Sequence, residues 1–296
     1  MIKQIINEKD IKNGDVVLVS AGYEKTASSH KGTVNGPKKV IECLNSQIEF
    51  FDRKFKVEVI DFVKTAHLDL GNLEKLSPLN TFKKIKDSCE KLVAQNKFIF
   101  LLGGEHAVSL GHLQALTKKH NRKDVTILHI DAHCDLRNDD SDYNSKNPSP
   151  LAHSTVMRRA SELGYKLVQV GIRTYSRDEY DYFSNKKNNV TVFEWDGPKK
   201  PKVEQILKSI KTKNVYLSID VDGFDPSVMP GTGTPVPGGL KWKYGVKLIE
   251  SLVNKFNLIG ADIVEVSPMR DSVLTEYSAA QLVYTIVANK FQKRFK

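Results

Sequence analysis

The chain has 296 residues and a formal net charge of +10, from 45 lysines and arginines against 35 aspartates and glutamates. This length fits one large domain over residues 1–296. Because the basic residues are scattered and no nucleic-acid-binding motif accompanies them, we expect no nucleic-acid partner. No run of about 18 apolar residues is present, so no membrane-spanning helix is expected. The three cysteines are widely spaced and form no Cys-x-x-Cys pattern, which favours a reducing compartment and predicts a cytoplasmic protein.

Short apolar, β-branched runs alternate with helical patterns along the chain. The strand-like runs are 15–22, 55–62, 97–104, 124–131, 166–172, 189–195, 214–220 and 258–266. The helical patterns cover 36–50, 80–96, 106–120, 153–164, 177–185, 202–212, 240–256 and 272–293. Several strand-like runs are apolar almost throughout, which is typical of strands buried on both faces of a parallel sheet. The alternation predicts an α/β architecture, either a barrel or an open doubly wound sheet.

Ionisable residues stand where four of the predicted strands end. They are Glu105, His106, Asp131, His133, Asp135, Asp220, Asp222 and Glu265. The first two follow the third run, the next three follow the fourth, and the last three belong to the ends of the seventh and eighth. Because the carboxyl ends of parallel strands share one edge of a sheet, we expect these side chains to converge. Each residue alone also fits a helix cap or a turn, so the prediction depends on the joint pattern.

The four aspartates of this group would bring about four negative charges together, and carboxylates so close do not all ionise in an apolar setting. Two divalent cations would cancel that charge. Oxygen-rich ligation with two imidazoles suits Mn²⁺ best and Zn²⁺, Co²⁺ or Fe²⁺ less well, so we predict two Mn²⁺ per chain. Water on two divalent ions loses a proton near neutral pH, which predicts hydrolysis. Glu265 is not needed for the charge balance and is suited to binding a guanidinium group.

Four ordered motifs carry a resemblance to a known family. They read GGEH at 103–106, DAHCD at 131–135, SIDVDGFDPSVMPGTGTPVPGGL at 218–240 and DIVEVSP at 262–268. They resemble the ureohydrolases, the family of arginase, agmatinase and their relatives. The resemblance implies a three-layer α/β/α fold around an eight-stranded, mostly parallel sheet, and hydrolysis of a guanidino group to urea and an amine. The ligands that it implies are Asp131 and Asp220 bridging both Mn²⁺, with His106 and Asp135 on one ion and His133 and Asp222 on the other.

Within the family, the segments 151–163 and 169–179 are most similar to agmatinases, which predicts conversion of agmatine to putrescine and urea. The resemblance implies that His153 shuttles a proton to the leaving amine and that Thr234 lines the guanidinium pocket. It also implies a homo-oligomer, a trimer or a hexamer. Two features depart from the family pattern. Ser154 follows His153 where glycine is usual, and the loop 137–152 is several residues longer.

Other substrates and roles stay open. Guanidinobutyrase, arginase and formimidoylglutamase are alternatives within the family, and a non-catalytic binding or regulatory subunit is an alternative of another class. Arg137 would pair with a substrate that has an acidic tail if it pointed into the pocket, but we expect it to point away from the pocket, toward the acidic residues 139–142. Thr174 and Ser176 are neutral where arginases carry acidic residues, which disfavours arginine. We interpret His129 either as supporting the metal ligands or as a buried, hydrogen-bonded histidine.

Overall fold

The computed structural model describes residues 6–7, 11–195, 197 and 200–295. Its strands are β1 (Ile6–Asn7), β2 (Val16–Gly22), β3 (Phe51–Asp52), β4 (Val57–Glu58), β5 (Thr65–Asn72), β6 (Phe98–Gly103), β7 (Val125–Ile130), β8 (Lys166–Ile172), β9 (Val190–Glu194), β10 (Asn214–Asp220) and β11 (Asn257–Val264). All but β3 and β4, which form a separate antiparallel pair, join one sheet in the order β1-β5-β2-β6-β11-β10-β7-β8-β9. The pairings within this sheet are parallel. Eight of its strands have five residues or more, and β1 adds two residues at one edge.

Helices cover both faces of this sheet. They are α1 (Gly36–Ser46), α2 (Pro78–Ala94), α3 (Ser109–Leu116), α4 (Val156–Glu162), α5 (Arg177–Ser184), α6 (Val203–Ser209), α7 (Trp242–Lys255) and α8 (Leu274–Phe291). One face packs against α1, α6, α7 and α8, and the other against α2, α3, α4 and α5. The three-layer α/β/α prediction is therefore confirmed, and the sheet is open with edges at β1 and β9. Among the described residues, no helix combines the length and apolarity that crossing a membrane requires.

The continuous apolarity of the central strands follows from this layering. In β2, Val16 and Leu18 pack into one hydrophobic core, whereas Val17 and Val19 pack into the other. All four side chains are fully buried. Burying such a side chain contributes about 1.5–3 kcal/mol, so each strand stabilises both layers.

One predicted strand was wrong. The run 55–62 contributes only the short strand β4 and a 3₁₀ turn at Val59–Asp61, and the sheet strand lies later, at β5. The first three residues of β5 are buried, but its second half is largely exposed and carries polar residues. A continuous apolar run predicts a strand that is covered on both faces, but it does not predict β5, whose second half is exposed to solvent.

The four central strands of the sheet, β6, β11, β10 and β7, position the site. The chain leaves β6 through α3 and returns at β7, and the gap between these two strands is filled later by β10 and β11. In open parallel sheets, ligands bind outside the carboxyl ends of the strands near such a change of strand order. The ionisable residues singled out in the sequence follow these four strands.

Candidate metal centre

Side chains from all four central strands meet at the carboxyl edge of the sheet. His106 follows β6, Asp131 follows β7, Asp220 ends β10 and Glu265 follows β11. These side chains are at most 5 % exposed. Neighbouring strands in a sheet are about 4.8 Å apart. Groups at adjacent strand ends are therefore within reach of one another.

His106 faces three carboxylates. Its Nδ1 atom lies 3.1 Å from an oxygen of Asp135, 3.3 Å from one of Asp131 and 3.5 Å from one of Asp220. Burial lowers the pKa of His106, but the contacts with these carboxylates outweigh burial and raise it well above its ordinary value. The surroundings of Nδ1 therefore stabilise a positive charge at this point.

A buried relay sets the orientation of the His106 ring. Its Nε2 atom lies 2.9 Å from Ser218 Oγ, and Ser218 donates its hydroxyl proton to Asp262 Oδ1 at 2.7 Å. Since a serine hydroxyl has one proton, Ser218 must accept from His106, so Nε2 carries the imidazole proton. Nδ1 then faces three carboxylates, an arrangement that requires a positive charge on or beside Nδ1, from a second proton in the metal-free protein or from a bound cation.

A second cluster forms around His133. Its Nδ1 atom lies 3.1 Å from Asp222 Oδ2 and 3.5 Å from Asp131 Oδ1. Thr234 donates its hydroxyl proton to Asp222 Oδ2 at 3.0 Å. Asp131 therefore turns one oxygen toward His106 and the other toward His133, and it joins the two clusters.

The protein groups of the centre carry an excess of negative charge. Burial, followed by repulsion from Asp222 and Asp131, raises the pKa of Asp220 well above its ordinary value. Within the described part of the chain, three buried atoms of the centre make no contact with hydrogen-bond geometry, namely His106 Nδ1, His129 Nε2 and Asp131 Oδ2, although the last two lie 2.8 Å apart. Buried polar atoms without partners are rare in folded proteins, and here they converge. Carboxylate oxygens and imidazole nitrogens suit a divalent ion such as Mn²⁺, so the residues fit a metal pair.

Two non-glycine residues of the centre adopt left-handed backbone conformations. The φ angle is +54° at Asp135 and +62° at Glu265. The Asp135 carbonyl accepts hydrogen bonds from Met157 and Arg158, at the start of α4. The Glu265 amide donates to Gly104. Such conformations cost about 1–3 kcal/mol each and concentrate at functional sites, where the surrounding bonds hold them.

Beside the ligand clusters lies a cleft of about 290 Å³. Its lining includes His133, Asp135, His153, Thr174 and Thr234. His153 Nδ1 lies 3.3 Å from Glu265 Oε1, which also accepts the backbone N–H of His106 at 2.8 Å. Burial lowers the pKa of His153, but the hydrogen bond and the charge of Glu265 outweigh burial and raise it to about 9.

A sequence model of the arginase family matches residues 14–288, which is nearly the whole chain. The chain belongs to the arginase family. A relative from Synechocystis, N(1)-aminopropylagmatine ureohydrolase, is 34% identical over 92% of this chain and 88% of its own length. The agmatinase of Halalkalibacterium halodurans is 31% identical over 94% of this chain and 93% of its own length. The crystal structure of agmatine ureohydrolase from Thermoplasma volcanium superposes with a TM-score of 0.81 at 27% identity, covering 95% of this chain and 91% of that one.

Membership of the arginase family agrees with the resemblance carried by the four motifs, and this chain is an enzyme of the agmatinase-like ureohydrolase type. The structure brings the eight residues singled out in the sequence to one edge of the sheet. Glu105 differs from the others, because its carboxylate accepts hydrogen bonds from the amide and hydroxyl of Thr26. Burial, counteracted in part by His153, raises the pKa of Glu105 to about 7.

His129 and Arg137 of this arginase-family chain also have defined surroundings. His129 Nε2 lies 2.8 Å from Asp131 Oδ2, and Gln169 holds its Nδ1 at 2.9 Å, so His129 contacts a ligand candidate. Arg137 pairs with Asp142 through Nη1, while its Nε lies 3.9 Å from Glu179. The guanidinium of Arg137 thus pairs with the acidic loop, as expected from the sequence, but Arg137 also lines the cleft, so the expectation that it points away from the pocket is met only in part.

Sequence reasoning missed the relay behind His106. Ser218 and Asp262 lie in the middle of buried strands, and Asp262 also accepts the hydroxyl proton of Tyr216 at 2.6 Å. A signal was available. An aspartate inside the apolar run 258–266 is costly to bury unless it is hydrogen-bonded. The sequence does not identify its partners, because they come from other strands.

Proposed function

We propose that this chain is a binuclear manganese enzyme that hydrolyses agmatine to putrescine and urea. The observation that carries the proposal is the position of Asp131, whose two oxygens face two separate imidazoles. His106, Asp131, Asp135 and Asp220 would hold one Mn²⁺, and His133, Asp131, Asp220 and Asp222 would hold the other. When bound, such a pair of ions lowers the pKa of water and makes a nucleophile available near neutral pH.

The remaining residues of the cleft have roles of their own in this proposal. Water adds its oxygen to the guanidino carbon, the bond from that carbon to the substituted nitrogen breaks, and the leaving amine takes up a proton. Glu265 orients the guanidinium with a charge-assisted hydrogen bond. His153, 3.3 Å from Glu265, holds the proton that the leaving amine needs. Thr234 fixes Asp222 and borders the pocket.

The far end of the substrate decides between members of the family. Thr174 and Ser176 line the cleft and are neutral, so they offer no charge to an α-amino group. Arg137 is neutralised by Asp142 and is therefore a poor partner for an acidic tail. The first feature disfavours arginine and the second disfavours substrates with an acidic tail, which leaves agmatine as the favoured substrate.

A second substrate is supported by the comparison with relatives. The Synechocystis relative at 34% identity is named for N(1)-aminopropylagmatine, which has an aminopropyl group added to agmatine. The cleft is bordered by Tyr175, whose aromatic ring suits an additional ammonium group. We therefore keep N(1)-aminopropylagmatine as the alternative substrate.

The setting of the enzyme is also part of the proposal. We propose a cytoplasmic homo-oligomer, a trimer or a hexamer, that acts on a small guanidino molecule and binds no nucleic acid. Light scattering during gel filtration would measure the oligomer. DNA binding whose affinity rises as the salt concentration falls would contradict the proposal that the protein binds no nucleic acid.

A urea-release assay with Mn²⁺ tests the function directly. The panel is agmatine, N(1)-aminopropylagmatine, arginine, guanidinobutyrate and formimidoylglutamate. We expect kcat/KM to be at least about 10²-fold higher for agmatine than for arginine, because unmatched polar contacts cause losses of this size. A higher value for either acidic substrate would overturn the substrate assignment. Full activity in protein that elemental analysis shows to be free of metal would overturn the metal assignment.

A further inference from the structure

The loop 137–152 forms one wall of the cleft and is held by its own hydrogen bonds. Asp140 is 1 % exposed, and its carboxylate accepts bonds from the Ser149 amide and the Asn144 side chain. The amides of Tyr143 and Asn144 donate to the Asp140 carbonyl. The buried carboxylate thus sets the shape of the loop and the position of Tyr143.

Tyr143 joins this loop to the segment that carries His153. Its hydroxyl lies 2.8 Å from Ser154 Oγ, and its ring packs edge-on against the imidazole of His153, with centroids 5.9 Å apart. Tyr143 is 37 % exposed, yet its hydroxyl bonds to Ser154 in the cleft wall. Because the ring is only partly buried, the hydrogen bond to Ser154 is the contact that fixes the orientation of Tyr143.

The other contacts of His153 involve its two ring nitrogens and its backbone amide. Its Nδ1 lies near Glu265, its Nε2 lies 3.2 Å from the Ser28 amide nitrogen, and its own amide donates to Thr26 Oγ1 at 3.2 Å. These contacts fix the edge of the imidazole and its backbone. The T-shaped contact with the Tyr143 ring adds resistance to rotation of the imidazole about its side-chain bonds, and the hydrogen bond to Ser154 fixes the Tyr143 ring in turn.

We propose that Tyr143, anchored by Ser154, is a positioning residue that holds the His153 imidazole in its proton-transfer orientation. The inference rests on the proposed function, since it assigns a task to His153 in that reaction. It also connects the two departures from the family pattern, because the longer loop supplies Tyr143 and the residue after His153 supplies the hydroxyl that Tyr143 binds.

The test compares Tyr143→Phe, Ser154→Ala and the double variant in the urea-release assay. The loss of one neutral hydrogen bond predicts that each single variant lowers kcat about threefold to tenfold. KM should change by less than about twofold, because Tyr143 acts on the chemical step through His153. The double variant should be no slower than the slower single variant, because the two hydroxyls act as one unit. Tyr143→Ala, which also removes the ring, should lower kcat further.

Tyr244→Phe is the matched control, because that tyrosine also loses one hydroxyl bond, to Pro201, away from the cleft. It should keep the wild-type kcat. Losses in the two single variants that multiply in the double variant would overturn the inference, and so would a wild-type kcat in Tyr143→Phe. Equal losses in kcat and in folded fraction, measured by thermal melting, would count against it as well. If wild-type protein releases no urea from any substrate of the panel, it is the proposed function that fails.

Discussion

The two ends of the sheet differ in their buried charges, because carboxylates cluster at the carboxyl end and basic side chains line a cavity at the amino end. At the carboxyl end, His106 and three carboxylates are buried together around one point. At the amino end lies a cavity of about 330 Å³, slightly larger than the cleft, whose lining includes Lys290 and Arg294. There Arg294 pairs with Asp15 at 2.9 Å, and Lys290 donates to the Leu258 carbonyl at 2.7 Å.

The difference shows which property marks the functional end. At the amino end, Arg294 is paired with a carboxylate, and Lys290 can release its proton, because burial lowers its pKa. At the carboxyl end, the four aspartates of the centre outnumber the charges that His106 and His133 can carry when protonated, so the excess negative charge requires a cation from outside. Cavity size does not distinguish the ends, whereas unbalanced buried charge does. This comparison yields predictions at both ends of the sheet.

The largest effect is expected for Asp220→Asn. Removing the carboxylate that we propose serves both ions should lower kcat by at least about 10²-fold, because metal ions supply several kcal/mol of transition-state stabilisation. The same change should raise the melting temperature of chelator-treated protein, since burial and the charges of Asp222 and Asp131 disfavour ionised Asp220. Asp15→Asn makes the same change at the amino end and should leave kcat unchanged. A lower melting temperature for metal-free Asp220→Asn would contradict the charge argument.

Next in size is His153→Ala. Loss of an acid or base group should lower kcat by roughly 10²-fold and change KM less. Steady-state kinetics with the best substrate measure both parameters. An unchanged kcat would remove His153 from proton transfer.

Ser218→Ala tests the relay behind His106. Without the hydroxyl, Nε2 loses its acceptor, and metal affinity should fall by roughly 10–100-fold, as for other residues that orient metal ligands. Titration of Mn²⁺ by calorimetry gives the affinity. Ser20→Ala is the matched control, because Ser20 also bonds a buried histidine, His67, at 2.8 Å, but away from the centre. Equal affinities in both variants and wild type would show that the relay does not support the metal site.

Glu265→Gln separates substrate binding from metal binding. The amide oxygen of glutamine can still accept the His106 amide, so metal content should stay at the wild-type level. The lost charge should lower kcat/KM at least about tenfold, since hydrogen bonds to charged groups contribute about 1.5–3 kcal/mol. Elemental analysis measures the metal content, and steady-state kinetics measure kcat/KM. Metal content that fell in step with activity would make Glu265 a structural residue or a ligand.

The smallest effect is expected at the amino end, for Lys290→Met. Burial lowers the pKa of Lys290 from 10.5 to about 8. Between these values the unfolded chain binds more protons than the folded chain, so stability should rise with pH over this window. After allowance for solvent screening, Lys290 should account for about 1–3 kcal/mol of that rise.

In Lys290→Met, the rise in the free energy of unfolding with pH should be smaller by the contribution of Lys290, and kcat should be unchanged. Denaturant unfolding at pH 8 and pH 10.5 measures it. The matched control is Lys255→Met, a change at an exposed lysine near Phe256, which should leave the rise intact. The same pH dependence in wild type and Lys290→Met would show that the Lys290 amine is well solvated.

The sequence by itself determined the α/β class, the placement of most strands and helices, and the group of ionisable residues at four strand ends. This was possible because those residues lie within a few positions of buried apolar strands, and the carboxyl ends of parallel strands share an edge. Only the tertiary structure decided the pairing of Ser218 with His106, 112 residues away, and the contact between Tyr143 and Ser154. It also decided the place of β5, whose exposed half breaks the apolar pattern. The physical reason is the same in each case. Local patterns report the surface that a segment buries, whereas the partner of a polar group depends on which strands and loops the fold makes neighbours.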